Sequence, residues 1–498
     1  ILEKGPKFAT EPSVGPSEML ALVRQVSAKS SEENRDRCVH ECVEGLTKGV
    51  GRRPLPRLKM GTVVNFFNES KLKLLLSDKE GGFVVVPEGM FQERARQAVL
   101  KNFRSVSGVE LKRVKARAVR LCGQLGLEGL GKSVSGAKGL NLEVFFSVKT
   151  HKELRPFRAI VTQRDSWQLH VSSFLQRHLC VLTLDDHFRI CNSEALVDYL
   201  REDNPGGCDL VSLDVEDMFY SIPHGELMKA VEECIQSSGS VAFMNSTGLA
   251  VESFLELLTF YLSSTYITFE GEIFLQKSGI CIGSSVAPIL SDLYLARCDR
   301  AIAESLDCRV LRVFRYVDDY LVVFKDSLGP NRDSVCVEVL ASFKECSTGL
   351  SFKYETPTGE GLQFLDLRLT LQPSHTCWAY EPRSKKRLLP YGSAHSKLVK
   401  RAITTSGMRA PLLKSCHHRC EDSLLSQVSR LTSAGYPVAM IVGVAESLFK
   451  VFGGRTSPKA RQKPTTRPVV VPYIHALSHQ VKRVANKYKV PVVFSAPR

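Results

Sequence analysis

Two apolar runs about one hundred residues apart each end in acid. Residues 209–222 read DLVSLDVEDMFYSI, a short apolar stretch that closes on Asp214. Residues 310–325 read VLRVFRYVDDYLVVFK, two β-branched stretches around Val317–Asp318–Asp319. The first predicts a buried strand with a carboxylate at its tip, and the second predicts a hairpin. Paired aspartates in a turn are by themselves ordinary turn chemistry. Here Leu311–Phe314 and Tyr320–Phe324 are apolar on both sides. A tight turn between buried strands normally wants Gly or Asn, and adjacent carboxylates repel unless a cation neutralises them. The fold therefore has to bring acids from two distant strands to one charged partner.

Carboxylates on rigid strands suit two-metal phosphoryl transfer, in which two ions sit about 3.5–4 Å apart. One ion lowers the pKa of a primer 3′-hydroxyl and the other steadies the leaving pyrophosphate. Mg²⁺ prefers a few carboxylates plus substrate phosphates, so two or three aspartates suffice, and Mn²⁺ is a possible substitute.

Charge points to the partner. Sixty-seven Lys and Arg against 52 Asp and Glu leave the 498-residue chain at +15, which favours a polyanion, nucleic acid before anionic membrane. Nine basic residues against Glu110 fall between Arg94 and Arg120, seven with no acid between Arg383 and Arg401, and nine with no acid between Arg455 and Lys489. Any one run reads equally well as a solvated helix face; three read as patches along one extended polyanion. With 43% hydrophobic and 24% charged residues, wholesale disorder and a rod are excluded, and the length predicts about three domains. No stretch reaches the roughly 18 consecutive apolar residues of a membrane span, so no membrane partner is expected. Fifteen scattered cysteines read as reduced thiols of a cytosolic or nuclear protein, and Ile1 in place of Met suggests an internal piece of a longer frame.

Apolar spacing predicts helices over 251–262 and 286–303, and a helix pair over 422–452 split at Gly435–Tyr436–Pro437. The alternation of 361–369, GLQFLDLRL, predicts one half-buried strand, and the Pro- and Lys-rich stretch to Pro472 a linker. Cys38–Cys42 and Cys416–Cys420 each cluster metal-ligating side chains, without CxxC spacing or an evident second ligand pair. For Cys416–Cys420, thiols at i and i+4 of a helix are the simpler account.

LDVEDMFYSIPH, GICIGSSVAPILSDLYLA, RYVDDYLVVFK and GLQFLDLRL stand in the order of reverse-transcriptase palm motifs. The set resembles Penelope-like retroelement reverse transcriptases, a branch related to telomerase reverse transcriptase. Asp78–Lys79 with Gly81–Gly82, Lys149–Thr150–His151–Lys152 before Pro156–Phe157–Arg158, and Ser393–Ala394–His395 with Lys397 strengthen it. The resemblance covers roughly residues 75–450. It implies an α/β (α+β) right-hand polymerase: an N-terminal extension over 1–74, fingers 75–205, palm 206–375 with a helical insertion about 225–275, thumb 376–452, and a basic tail 453–498. It implies RNA-directed DNA synthesis from RNA template, DNA primer or target DNA and dNTPs, in the nucleus after cytoplasmic synthesis.

Residue by residue, the resemblance makes Asp214 and Asp318 the metal-binding catalytic pair, with Asp319 close by and Val215 in the metal and nucleotide set. Phe219 matches the steric gate against a ribose 2′-hydroxyl, although a plain core aromatic would look the same. Lys79 and Arg158 match finger residues that clamp the triphosphate, a point charge and a planar fork. Gln276 sits where the branch commonly carries glutamine, and Gly279, Gly283 and Pro288 match the loop and helix start beneath the nascent base pair, their small size letting backbone approach the template. Cys281–Ile282–Gly283 stands where many reverse transcriptases carry Pro-Gln-Gly, a change typical of the branch that removes a hydrogen-bonding group, and Ala287 stands for a more usual serine. No GIY-YIG endonuclease motif is seen, so a nuclease is expected to be lacking or to lie beyond Arg498. A catalytically inactive nucleic-acid-binding relic and a telomerase-like polymerase are the competing readings.

Overall fold

The computed structural model describes residues 2–9, 16–48, 60–204, 206–383, 386–453, 467–474 and 477–495. Strand β1 (Leu72–Ser77) turns through Asp78–Gly82 into β2 (Phe83–Pro87), and β3 (Phe103–Ser105) follows the helix Glu88–Asn102. Strands β4 (Glu143–Val148) and β5 (Phe157–Thr162) complete a sheet ordered β2–β1–β4–β5, in which only β1 and β4 run parallel. Its apolar face closes over Phe146, Phe157 and Val161.

The predicted strand tip is β6 (Asp209–Val215), buried at every position but Asp214. Strands β7 (Tyr266–Phe269) and β8 (Glu272–Gln276) form a hairpin whose second strand pairs with β3. The predicted hairpin is β9 (Val310–Tyr316) and β10 (Asp319–Phe324), and β11 (Phe352–Glu355) completes an antiparallel sheet ordered β11–β6–β10–β9. Helices His224–Thr247, Val251–Leu262, Ala287–Ser305 and Arg332–Cys346 share with it the largest apolar core. The helix expected over 251–262 forms as predicted, and that over 286–303 forms as Ala287–Ser305 with Pro288 in its first turn, where a missing N–H costs nothing.

The single strand expected over 361–369 is instead a hairpin. β12 (Leu362–Phe364) and β13 (Leu367–Leu371) pair across Leu365–Asp366, because Leu365 takes a positive φ of 52° and reverses the chain. β14 (Thr376–Tyr380) adds a third strand. Helices Lys397–Lys414, Cys420–Ser433 and Val438–Phe452 follow, the last two split at Gly435–Tyr436–Pro437 as expected. Cys416 lies in the turn before the helix that Cys420 opens, so these two are not thiols on one helical face. Cys38 and Cys42 are: both are buried on the helix Arg35–Lys48. All fifteen cysteines are free thiols.

Most of the expected linker, 454–466, lies outside the described residues. Beyond it the tail is folded. β15 (Val469–Pro472) and β16 (Val492–Ser495) pair in parallel around the helix Leu477–Lys487, and pack on helices Pro16–Ser27 and Arg35–Lys48 through Val23, Val26, Cys38, Val471 and Ala485. The two ends of the chain thus share one small core. Among the described residues no helix is long and apolar enough to cross a membrane.

Candidate active site

Register brings the acids together. Asp319 stands opposite Asp214 across β10 and β6, and the Val215 N–H donates to the Asp318 carbonyl at 3.2 Å. Asp318 and Asp319 are half-buried. Burial first, then the Asp214 charge, pushes the Asp318 carboxyl above its ordinary value, against Arg158 and Lys79. Burial and Asp318 push Asp319 up to about 6, opposed by Arg383 with its Nη1 3.6 Å away. Three carboxylates gathered at one strand tip form an oxygen-donor cradle suited to hard divalent cations. The Val215 side chain is buried in the core, leaving its main-chain carbonyl as the ligand atom it can offer.

What holds the turn was missed in the sequence. Arg315 is fully buried on β9 and donates to Asp299 at 2.5 Å, to Asp186 and, through Nη1, to the Val317 carbonyl at 3.1 Å. The Tyr320 hydroxyl donates to Asp299 at 2.7 Å. This network pins Val317, a β-branched residue at φ 55° immediately before Asp318. Such a conformation persists only where surrounding structure overdetermines it, and it aims the next two side chains. Desolvation pushes Asp299 up to about 7 despite Arg315. The signal was partial: β9 carries two arginines, Arg312 exposed and Arg315 buried, and a buried one demands buried acids.

Lys79 is exposed on the β1–β2 turn and Arg158 is half-buried on β5, both near enough to act on Asp318. Arg158 holds Asp78 at 3.1 Å. Two further cations, also missed as site residues, converge on Asp217: Lys101 at 2.5 Å and Lys149 at 3.5 Å. Burial would raise the Asp217 carboxyl, but the two lysines hold it below its ordinary value. Burial lowers Lys149 in turn, with Asp217 opposing.

Phe219 is half-buried on the short helix Met218–Ser221, and its carbonyl accepts from the Ile280 N–H at 2.5 Å. The glycines lie against protein backbone. A Cβ on Gly283 would lie 2.1 Å from the Val161 carbonyl oxygen of β5, and one on Gly279 2.2 Å from the Phe219 carbonyl oxygen. Their small size lets the loop approach protein backbone beside Phe219. Gln276 is buried; its Nε2 donates to the Ser278 carbonyl at 2.8 Å and its Oε1 has no hydrogen-bond partner. It braces this loop from beneath.

Residues 175–353 match the family model described as reverse transcriptase (RNA-dependent DNA polymerase). That span holds Asp214, Phe219, Gln276, Gly283, Asp318 and Asp319 but neither Lys79 nor Arg158. No curated protein matches the chain in sequence. Among solved structures, telomerase from Candida albicans in complex with a TWJ fragment of telomeric RNA is similar at 12% identity and a TM-score of 0.55, over 97% of this chain and 85% of that one. Apo telomerase from Candida tropicalis truncated from the C-terminal domain matches at 12% identity and a TM-score of 0.42, over 61% of this chain, which spans 63% of its length. The Candida albicans likeness concerns the fold alone. The chain thus carries a segment that matches the reverse transcriptase (RNA-dependent DNA polymerase) family model, inside a mixed helix-and-sheet fold shared with telomerase.

Proposed function

We propose that this chain extends a DNA 3′-hydroxyl on an RNA template, as the polymerase of a Penelope-like retroelement. The observation that carries the reading is the register that sets Asp214 against Asp319 with Asp318 at the same tip. Asp214, Asp318, Asp319 and the Val215 carbonyl would hold two Mg²⁺ ions, with Mn²⁺ as a substitute. When bound, such ions activate the attacking hydroxyl and neutralise the leaving pyrophosphate. Lys79 and Arg158 neutralise the incoming triphosphate, Arg158 as a fork already oriented by Asp78. Phe219, fixed through its own backbone to Ile280, excludes a 2′-hydroxyl and selects dNTPs. The regions 75–205, 206–375 and 376–452 act as fingers, palm and thumb around the template–primer duplex, whose phosphates the exposed cations hold. Cys281–Ile282–Gly283 and Gln276 support the Penelope-like branch, and such an element would place its protein in the nucleus after synthesis in the cytoplasm.

The test is extension of a DNA primer on an RNA template with Mg²⁺ and dNTPs, wild type beside Asp318→Ala, with a gel shift on the same duplex. We expect extension to fall at least about a thousandfold in the variant, since the transition state loses a metal-holding charge, with binding kept. Near-normal extension by Asp318→Ala would sink the proposed site. Binding without extension in both proteins would favour an inactive relic.

A further inference from the structure

Away from the polymerase acids, two short segments meet, His375–Thr376–Cys377 and Cys416–His417–His418, in each of which a cysteine and a histidine stand two residues apart. The first runs into β14, and the second forms the turn between the helices Lys397–Lys414 and Cys420–Ser433. Along extended chain, residues i and i+2 share a face, so His375 and Cys377 point the same way. Ligand atoms of His375, Cys377 and His418 all lie within 4.8 Å of one another. Cys416 Sγ stands 3.7 Å from Cys377 Sγ, and both thiols are buried.

His375, Cys377 and His418 lie within reach of one ion, while Cys416 adjoins them through Cys377 and would turn toward the histidines to complete a tetrahedron. Bonds of about 2.3 Å to sulfur and about 2.0–2.1 Å to nitrogen give edges of about 3.8 Å between two sulfurs and about 3.6 Å between sulfur and nitrogen. The observed distances are 3.7 Å for Cys377–Cys416 and 3.6 Å from Cys377 Sγ to His418 Nδ1. His375 Nε2 lies at 3.0 Å from Cys377 Sγ, closer than the ideal edge, and can open by a small swing of a half-buried ring. His375 Nδ1 is 3.1 Å from the Ser374 hydroxyl, a partner that orients the ring with Nε2 toward the thiols. The 3.7 Å gap is far beyond the roughly 2.05 Å of a disulfide.

We infer that His375, Cys377, Cys416 and His418 form a structural zinc site that ties the sheet β12–β13–β14 to the helices packed behind it. Nitrogen and sulfur donors select zinc over the hard cations that carboxylates attract. Four protein ligands leave no open position, which makes the site structural rather than catalytic. Binding converts the two thiols to thiolates and releases two protons, with no redox change. The ion would reinforce contacts already present, the Cys416 N–H on the Trp378 carbonyl at 3.0 Å and the Tyr380 N–H on the Ser415 hydroxyl at 2.9 Å. It would hold this junction rigid whatever occupies the acids on β6 and β10.

The experiment measures metal content in the full chain after dialysis against metal-free buffer, and the visible spectrum after exchange with Co²⁺. About one zinc per chain is expected, together with the d–d and thiolate charge-transfer bands of a tetrahedral cobalt site. Cys377→Ser and Cys416→Ser should drop the metal at least tenfold, while Cys420→Ser, whose thiol faces the Pro411 carbonyl, should keep it. Because His418 is exposed, His418→Ala should fold normally and weaken zinc binding at least tenfold. Metal-free wild type with no cobalt spectrum overturns the inference, as does zinc unchanged in Cys377→Ser and His418→Ala. An intact mass two hydrogens light, with a Cys377–Cys416 disulfide and no zinc, overturns it in favour of a redox pair. None of these readouts depends on polymerase activity.

Discussion

Asp319 sits where burial and two neighbouring carboxylates oppose its ionisation, so its carboxyl is held up to about 6. A divalent cation held there, as proposed, would bind the carboxylate and compete with the proton. Extension should therefore fall as the pH drops through about 6, not through the ordinary range near 4. Added Mg²⁺ should restore it. In the folded state without metal, the stability this group contributes is present at low pH and lost as pH rises through 6; the cation offsets that loss. Mg²⁺ should then raise Tm more at pH 8 than at pH 5. Removing the opposing charge with Arg383→Ala should move the acid limb of the pH–rate profile to higher pH, and an unmoved limb would separate Arg383 from Asp319. Phe219→Ala should raise incorporation of rNTPs relative to dNTPs by at least about tenfold, read from kcat/KM for the two. The meeting of Asp214 with Asp318 and Asp319 was legible because each adjoins an apolar run that announces its strand, whereas Phe219 entered only through the resemblance. Asp186 was not: it lies 129 residues from Arg315, and nothing local says the two meet.

Among elements, the β9–β10 hairpin depends on its buried arginine. Arg315→Met would leave Asp186 and Asp299 buried without their cation. The expected cost is about 3–5 kcal/mol, read as a fall in Tm and denaturant midpoint, with extension lost as Val317 is unpinned. An unchanged midpoint would mean the network holds nothing. In Gly283→Ala, the added methyl meets the Val161 carbonyl oxygen of β5 at 2.1 Å, and the loop must withdraw. About 1–3 kcal/mol of stability and much of the extension rate should go with it. Sequence periodicity gave the helices Val251–Leu262 and Ala287–Ser305 almost to the residue, since i, i+3 and i+4 spacing is a local property. It could not separate one strand from two over 361–369, because alternation continues across the turn at Leu365–Asp366. Nor could it distinguish a linker from a folded tail whose apolar partners begin at Val23.

Over the whole molecule the basic runs overstate the cations free for a polyanion. Within the first basic run Arg96 is engaged by Glu270 and Glu272, Lys101 by Asp217, and Lys115 by the Ser135 and Ala137 carbonyls. Duplex affinity should still fall by about a thousandfold or more between about 50 and 200 mM salt, the response of roughly six or more phosphate contacts. A flat salt dependence would remove the basic runs from the binding surface. Asp214→Ala should leave that slope unchanged, since in the proposed site Asp214 would hold metal ions and not the phosphates of the duplex stem. The core shared by the two ends of the chain has a consequence in time. Helix Arg35–Lys48 and strand β15 are separated by roughly 420 residues. At about 5–20 residues per second, the ribosome needs about 20–80 s to deliver the second after the first. Throughout that interval Val23, Val26 and Cys38 stay uncovered, and this core can close only after β15 and β16 have been made.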